Sequence, residues 1–230
     1  MSPLILEVIA CSVADAVAAA MGGASRLEVV RELDRGGLTP SVELVQRIKK
    51  TVDLPLRVMV RENDGYETSG ETEVQKLCAA AKAFAELGVD GLVLGFLKGG
   101  EIDLDLTSRV LACAPGLKAT FHHAFEDADD QQRAVRQLKK LSQVDRILSS
   151  GGAGKLEERT RRLGVYAHSA APEIKIIAGG GIDMDAIALL RRTTSIREFH
   201  VGRATRTGLQ VAGDVQSELV RALVHAIGET

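Results

Sequence analysis

Short runs of β-branched and Leu-rich residues recur along the chain, and each is followed by a segment whose apolar residues fall at helical spacing. The runs predict strands at Leu4–Ala10, Arg26–Val30, Leu56–Val60, Gly91–Leu94, Leu117–Phe121, Arg146–Leu148, Glu173–Ala178 and Glu198–Val201. The intervening periodicity predicts helices at Val13–Met21, Pro40–Thr51, Glu71–Leu87, Leu104–Cys113, Asp130–Leu141, Lys155–Ser169, Asp183–Arg192 and Gln216–Ile227. Thr39-Pro40 reads as a helix start, an N-cap residue followed by proline at the first helical position. Eight strand-then-helix units, with no linker or low-complexity run between them, predict an α/β fold: a single-domain (β/α)8 TIM barrel over residues 1–230. A doubly wound open sheet is the alternative, and it usually has fewer strands at this length.

Barrel strands must turn apolar side chains outward against the helices, so alternation tells which residues face in. Leu4, Leu6 and Val8 face out, which sends Ile5, Glu7, Ile9 and, just beyond, Cys11 inward. The same parity sends Arg26 and Glu28, Arg57 and Arg61, Lys118 and His122, Lys175 and Gly179, and Glu198 and His200 inward. Depth then sorts these groups, because barrel active sites lie at the C-terminal ends of the strands. Arg57, Lys118, Lys175 and Glu198 come early and are expected in a structural ion-pair layer near the bottom. Glu7, Glu28, Arg61, His122 and His200 come later and are the candidate catalytic groups at the mouth. Buried charges need a partner or a ligand, so a Glu–Arg network that closes the barrel is the structural alternative for Glu7 and Glu28.

The seventh strand runs into Gly179-Gly180-Gly181, and Asp183 then opens a helix. Glycines let backbone N–H groups approach a ligand, and the helix N-terminus adds partial positive charge, so this turn suits an anion. A tight turn alone would also use such glycines. Phosphate sites of barrels, however, are built from the loops after strands seven and eight, and Gly202-Arg203 follows the eighth. With Ser150 and Gly151 after strand six, the candidate anion- or cofactor-binding residues are Ser150, Gly151, Gly179, Gly180, Gly181, Gly202 and Arg203. Such a mouth, with His122 or His200 as a proton carrier, suits lyase, aldolase or isomerase chemistry on a small phosphorylated or anionic substrate.

A formal net charge of −2 supplies no basic field for nucleic acid or an anionic membrane surface. Three cysteines without paired spacing make no disulfide framework and point to a reducing, cytoplasmic setting. The Ala-rich Ser12–Met21 lacks a positively charged leader segment, and Glu7 interrupts the apolar run before it, so it is not read as a signal peptide. No run of about 18 apolar residues is present, so no membrane span is expected. Cys78 and Cys113 fall on helices and read as core, whereas Cys11, His122 and His200 form the one constellation worth testing as a metal site. An amphipathic outer ring of helices often supports a homo-oligomer.

Several motifs carry a resemblance. They are Leu6-Glu7-Val8 with Ser12, Arg26-Leu27-Glu28, Gly36-Gly37-Leu38-Thr39-Pro40-Ser41, Gly91-Leu92-Val93 with Gly95, Thr120-Phe121-His122 with Ala124-Phe125, Arg146-Ile147-Leu148 with Ser150-Gly151, Ala178 to Ile182, and Phe199-His200. Together, over roughly residues 4–206, the chain resembles the CutC copper-homeostasis family. The resemblance implies a barrel of this type, cytoplasmic copper handling, a homo-oligomer and, in some members, bound Cu(I), an ion that soft thiolates suit. Members often carry a cysteine two residues after each strand glutamate; those positions are Ile9 and Val30 here. His123 and Glu126 stand where the family tends to have Arg and Asp. The expected function is therefore copper homeostasis, with a copper ion or a small anionic ligand as partner. A barrel enzyme is the alternative, and a non-catalytic scaffold the third class.

Overall fold

A computed structural model describes residues 3–228. In chain order it contains β1 (Ile5–Ala10), α1 (Val13–Gly22), β2 (Arg26–Val29), α2 (Val42–Thr51), β3 (Leu56–Met59), α3 (Glu71–Leu87), β4 (Gly91–Leu94), β5 (Leu97–Lys98), β6 (Glu101–Ile102), α4 (Leu104–Ala112), β7 (Lys118–Phe121), α5 (Gln131–Leu138), β8 (Val144–Ser149), α6 (Leu156–Ala170), β9 (Lys175–Ala178), α7 (Met184–Thr193), β10 (Glu198–Val201) and α8 (Ser217–Gly228). Strands β1, β2, β3, β4, β7, β8, β9 and β10 pair in that order, all parallel, and β10 closes on β1. This is a (β/α)8 barrel. The small β5–β6 hairpin is an addition to the expected elements. Its sequence signal is Lys98-Gly99-Gly100-Glu101, a two-residue turn with both glycines at positive φ.

Side-chain caps set where the helices begin. Ser12, Asp103, Asp130 and Asp183 each accept a hydrogen bond from a backbone N–H three residues on, stopping the strand-to-helix loops where a free donor would otherwise remain. The expected cap at Thr39 is corrected: Ser41 caps α2, accepting from the Leu44 N–H. Thr39 instead ties its loop to the end of β3, as described below. Among the described residues no helix is long and apolar enough to cross a membrane.

The outward parity of the strands builds the main core. Leu6, Val8, Leu27, Val29, Leu56 and Val58 are buried against the helices, together with Phe84, Phe121 and Phe199. Inside, charge fills the lower barrel. Arg57 donates to Asp145 at 2.8 and 3.0 Å, to Asp90 at 3.3 Å and to Thr120 at 3.2 Å. Arg26 bridges Glu7 at 2.5 Å and Glu198 at 3.0 Å, and Arg146 adds a 2.7 Å contact to Glu198. Lys175 reaches Glu198 at 3.5 Å from a half-exposed position at the rim. Lys118 is the exception to the expected layer: it is exposed and donates to the Ser142 carbonyl. Above the Arg26 and Arg57 ion pairs Ile9, Val30, Met59 and Val93 form a separate apolar layer, and the first three of them line the cavity described below.

Candidate functional site

A cavity of about 980 Å³ opens at the C-terminal ends of the strands, lined by Glu28 and His200 within β2 and β10 and by Arg61, His122, Gly180 and Arg203 just beyond their strands. Its floor is built by register. Glu7 lies beside His200 of β10 on one side and Arg26 of β2 on the other. His200 Nδ1 is 2.8 Å from Glu7, and its Nε2 is 3.3 Å from Glu28 Oε2. Burial alone lowers the His200 pKa, but the carboxylates of Glu28 and Glu7 outweigh it and raise it. A carboxylate near each ring nitrogen favours the imidazolium, which is hydrogen-bonded to Glu7 and ion-paired with Glu28. Burial pulls the Glu7 pKa upward, and Arg26 and His200 overcome it, holding the carboxyl well below the usual carboxylate range. Glu28 lacks a comparable Arg contact. Burial dominates there, only partly offset by His200, and pushes its pKa up to about 7. Glu28 Oε1 is buried and, among the described residues, has no hydrogen-bond partner.

Arg61 is held from three sides. The Thr39 hydroxyl accepts from the Arg61 N–H and donates to the Arg61 carbonyl, both at 2.9 Å. Its guanidinium donates to the Gly36 carbonyl at 3.4 Å and to the Asp64 carbonyl, and lies 5.0 Å from the centre of the Tyr66 ring. The Gly36–Ser41 motif therefore serves to hold this arginine. Arg61 is buried, yet among the described residues it has no carboxylate partner, and its Nε makes no hydrogen bond. His122 sits beside it. The Ala124 N–H donates to its Nδ1 at 3.2 Å, which leaves the ring proton on Nε2. Burial, then Arg61 and His123, push the His122 pKa down to about 3, so the ring is neutral. Its buried Nε2 is also without a partner among the described residues. Room for the ring comes from Gly95, where a Cβ would stand 2.5 Å from His122 Nδ1.

The glycine loops divide. Gly180, Gly181, Gly202 and Arg203 line the cavity, and Gly180 at φ +69 needs the freedom of glycine. Arg203 is exposed, and no ion pair engages it among the described residues. Gly179 is buried against Leu148 and His200, just below the lining. Ser150 and Gly151 turn their donors to the protein. The Ser150 N–H and hydroxyl both donate to Glu126, and the Gly151 N–H donates to Ser149 Oγ, so this loop has spent its donors on the protein itself. Burial pulls the Glu126 pKa upward, but His123, then Ser149 and Ser150, outweigh it and hold it at about 2. Glu126 and Tyr66 were not anticipated from sequence as site residues; the His123–Glu126 spacing of three was the one available signal for the former.

Cys11, His122 and His200 are not gathered into one donor set. Among the described residues, Glu7, Glu28 and His200 are the one group of three whose donor atoms lie within 4.8 Å of one another. That set offers carboxylate oxygens and an imidazole rather than the soft thiolates that suit Cu(I), and Glu7 is already paired with Arg26 and His200. The Cys11 sulfur accepts from Arg206 at 3.6 Å, and burial pushes its pKa up to about 11, which keeps it a thiol. Cys78 and Cys113 lie on α3 and at the end of α4, packed against the main core.

Comparison with known proteins now bears on this arrangement. The model of the CutC family matches residues 4–205. The chain belongs to the CutC family. A CutC family protein of Xylella fastidiosa is 34% identical over 196 residues, covering 85% of this chain and 73% of its own. The "Copper homeostasis protein cutC homolog" of Homo sapiens is 33% identical over 204 residues, covering 88% and 74%. The crystal structure of the putative copper homeostasis protein CutC from Streptococcus agalactiae superposes with a TM-score of 0.80 at 25% identity, covering 86% of this chain and 98% of that one. The CutC fold is thus the frame in which Glu28, Arg61 and His122 meet.

Proposed function

We propose that this CutC-family chain is a barrel enzyme that moves protons on a small anionic substrate. The observation that carries this reading is that Glu28 Oε1, His122 Nε2 and Arg61 Nε, three of the buried side-chain atoms lacking a partner among the described residues, all belong to residues lining one cavity. Buried polar groups are normally satisfied within the protein, so a cluster of unsatisfied ones marks where a ligand supplies the missing partners. Glu28, with a pKa near 7, is the acid–base group, since a proton carrier works best when its pKa lies near the working pH. The neutral His122 Nε2–H and the Arg61 guanidinium are donors for oxygen charge developing on the substrate. His200 and Glu7 are positioning residues that hold the Glu28 carboxylate from below. Gly180, Gly181 and Arg203 supply an anion anchor at the rim.

The test works without the full reaction being identified. Phosphate esters and carboxylates that raise the melting temperature are incubated with the protein in D2O, and exchange of carbon-bound hydrogen is followed by NMR. Binders should incorporate deuterium with wild-type protein, and Glu28→Gln should abolish incorporation while the binders still stabilise the fold. Binders that never exchange would refute the proton-transfer role.

Copper handling is the second reading, and the names carried by relatives favour it. In this reading copper is cargo, Cys11, His122 and His200 are the donors to test, and the three free thiols fit a reducing cytoplasmic setting. An anaerobic Cu(I) titration against a competing chelator, with Cys11→Ser and His122→Ala alongside, separates the readings. Stoichiometric binding weakened by either substitution supports copper handling, and binding no stronger than the chelator's removes it. A homo-oligomer is compatible with both readings, and sedimentation of the purified chain measures it.

A further inference from the structure

The cavity is larger than its polar groups require. Glu28, Arg61, His122 and the Gly180–Gly181 turn would engage a headgroup of a few heavy atoms, whereas about 980 Å³ is the scale of a drug-sized ligand. The surplus has a definite lining. Met184 opens α7, Leu219, Ala222 and Leu223 occupy the first two turns of α8, and Leu209 and Val211 come from the loop between β10 and α8. Together these six side chains form an apolar arm continuous with the polar site.

That arm is built rather than left over. The loop carrying Leu209 and Val211 is pinned at its base. Arg206 and Val215 form a bridge, the Thr207 N–H donates to the Asp214 carbonyl at 2.9 Å, and the Arg206 guanidinium donates to the Gly213 carbonyl at 2.7 Å. Arg206 is itself fixed by Asp15 at 3.0 Å and the Ile9 carbonyl at 3.0 Å. At the tip, Leu209 adopts φ +55, a left-handed conformation that disfavours a branched side chain, and it is 61% exposed. Met184 is 55% exposed. Glu32, the other non-glycine residue at positive φ among those described, directly precedes Leu33, which lines the same cavity from the loop after β2. Strain and exposed apolar surface therefore coincide at one opening.

We propose that the ligand of this site is an amphiphilic anion, with its charged headgroup between Arg61 and Arg203 and an alkyl, acyl or aryl arm lying on Leu209, Met184 and the start of α8. The inference rests on the anionic substrate proposed above and adds the second half of the molecule. Hydrophobic transfer makes the effect measurable, because each methylene moved from water to such a surface multiplies affinity by about fourfold.

Calorimetric titration with inorganic phosphate, then ethyl, propyl, butyl and hexyl phosphate, reads the arm directly. Affinity should climb severalfold with each added methylene for the wild-type chain. Leu209→Gly removes the side chain and relieves the left-handed strain, so the fold should be at least as stable, while the climb flattens and affinity for inorganic phosphate stays within twofold. Val211→Ser should flatten the series partially. A flat wild-type series, no binding of any of these phosphates, or a Leu209→Gly series as steep as wild type would each overturn the proposal. A change in sedimentation mass on Leu209→Gly with an unchanged series would do the same, by assigning Leu209 to a contact between copies. Hydrogen exchange on the binders of the earlier screen, followed with the wild-type chain beside this series, keeps the two readings apart. A steep series with no hydrogen exchange would refute the proton-transfer role alone, and a flat series with exchange intact would refute the amphiphile alone.

Discussion

The lower and upper halves of this barrel interior contain the same residue types in opposite conditions. Below the apolar layer of Ile9, Val30, Met59 and Val93, Arg26 and Arg57 each face two carboxylates, and their guanidinium groups are satisfied. At the mouth Arg61 is also buried but meets only carbonyl oxygens and a tyrosine ring, and Glu28, level with Arg57 on the neighbouring strand and reaching the cavity from there, keeps one oxygen unpaired among the described residues. Charge inside the barrel is thus not evidence of a site by itself. Incomplete pairing is, because a buried charge without a partner is costly and persists where something else supplies the partner.

The most severe way to break this comparison is to treat both halves alike. Arg26→Met leaves Glu7 and Glu198 without their shared cation, and breaking a buried pair in this way costs about 3–5 kcal/mol. Arg61→Met strands no carboxylate and removes hydrogen bonds to two carbonyls beside the open cavity, at a net cost of about 1 kcal/mol. Urea denaturation of the two variants should therefore separate them by about 2 kcal/mol or more. Equal losses would mean that Arg61 is as structural as Arg26.

A smaller effect sharpens the contrast within the carboxylates. The folded Glu28 pKa lies near 7, above the ordinary value of 4.5, so the folded state holds a proton that the unfolded chain has released. Its contribution to stability is fully present below pH 4.5 and is lost as pH rises through 7, with a slope of up to about 1.4 kcal/mol per pH unit. Glu7 has the opposite sign: its pKa is depressed, so its contribution is present above pH 4.5 and is lost on further acidification. Denaturation curves at pH 5, 6, 7 and 8 should show stability declining in the wild type relative to Glu28→Gln. Parallel profiles for the two proteins would place the Glu28 pKa outside this window.

The fold was legible in the sequence because its signal is local. Leu6 and Val8, Leu27 and Val29, and Leu56 and Val58 mark the outward face of their strands, and closure into a barrel follows from repeating the unit. The same parity brought Glu7, Glu28, Arg61, His122 and His200 to the interior side. What alternation cannot carry is the pairing, which depends on register around the closed sheet. Arg26 reaches Glu198 across 172 positions of sequence, and no spacing rule distinguishes it in advance from Arg61. The same holds for Ser150 and Gly151, whose donors are taken by Glu126 from the loop after β7 and by Ser149, a capture visible only once β7 and β8 are adjacent.

The smallest effect falls at the rim, where Arg203 and Arg159 offer the finest version of the comparison. A Cβ at Gly181 would lie about as close to the guanidinium of one as of the other, 3.9 and 4.0 Å, so both are placed to meet an anion on that turn. Arg159, however, donates from Nε to the Ser150 carbonyl at 2.8 Å and from a terminal nitrogen to the Gly180 carbonyl, which makes it part of the loop's own scaffold. Arg203 has no such engagement among the described residues and is exposed. Arg203→Gln should therefore change stability by less than about 0.5 kcal/mol, as expected of a surface position, and still weaken inorganic phosphate severalfold. Arg159→Gln should show the reverse order, with the loss appearing first in the melting temperature because two loop carbonyls lose their donor. If Arg203→Gln leaves phosphate affinity unchanged, the anion anchor belongs to Arg61 deeper in the cavity, and the glycine turn returns to being only a tight connection between β9 and α7.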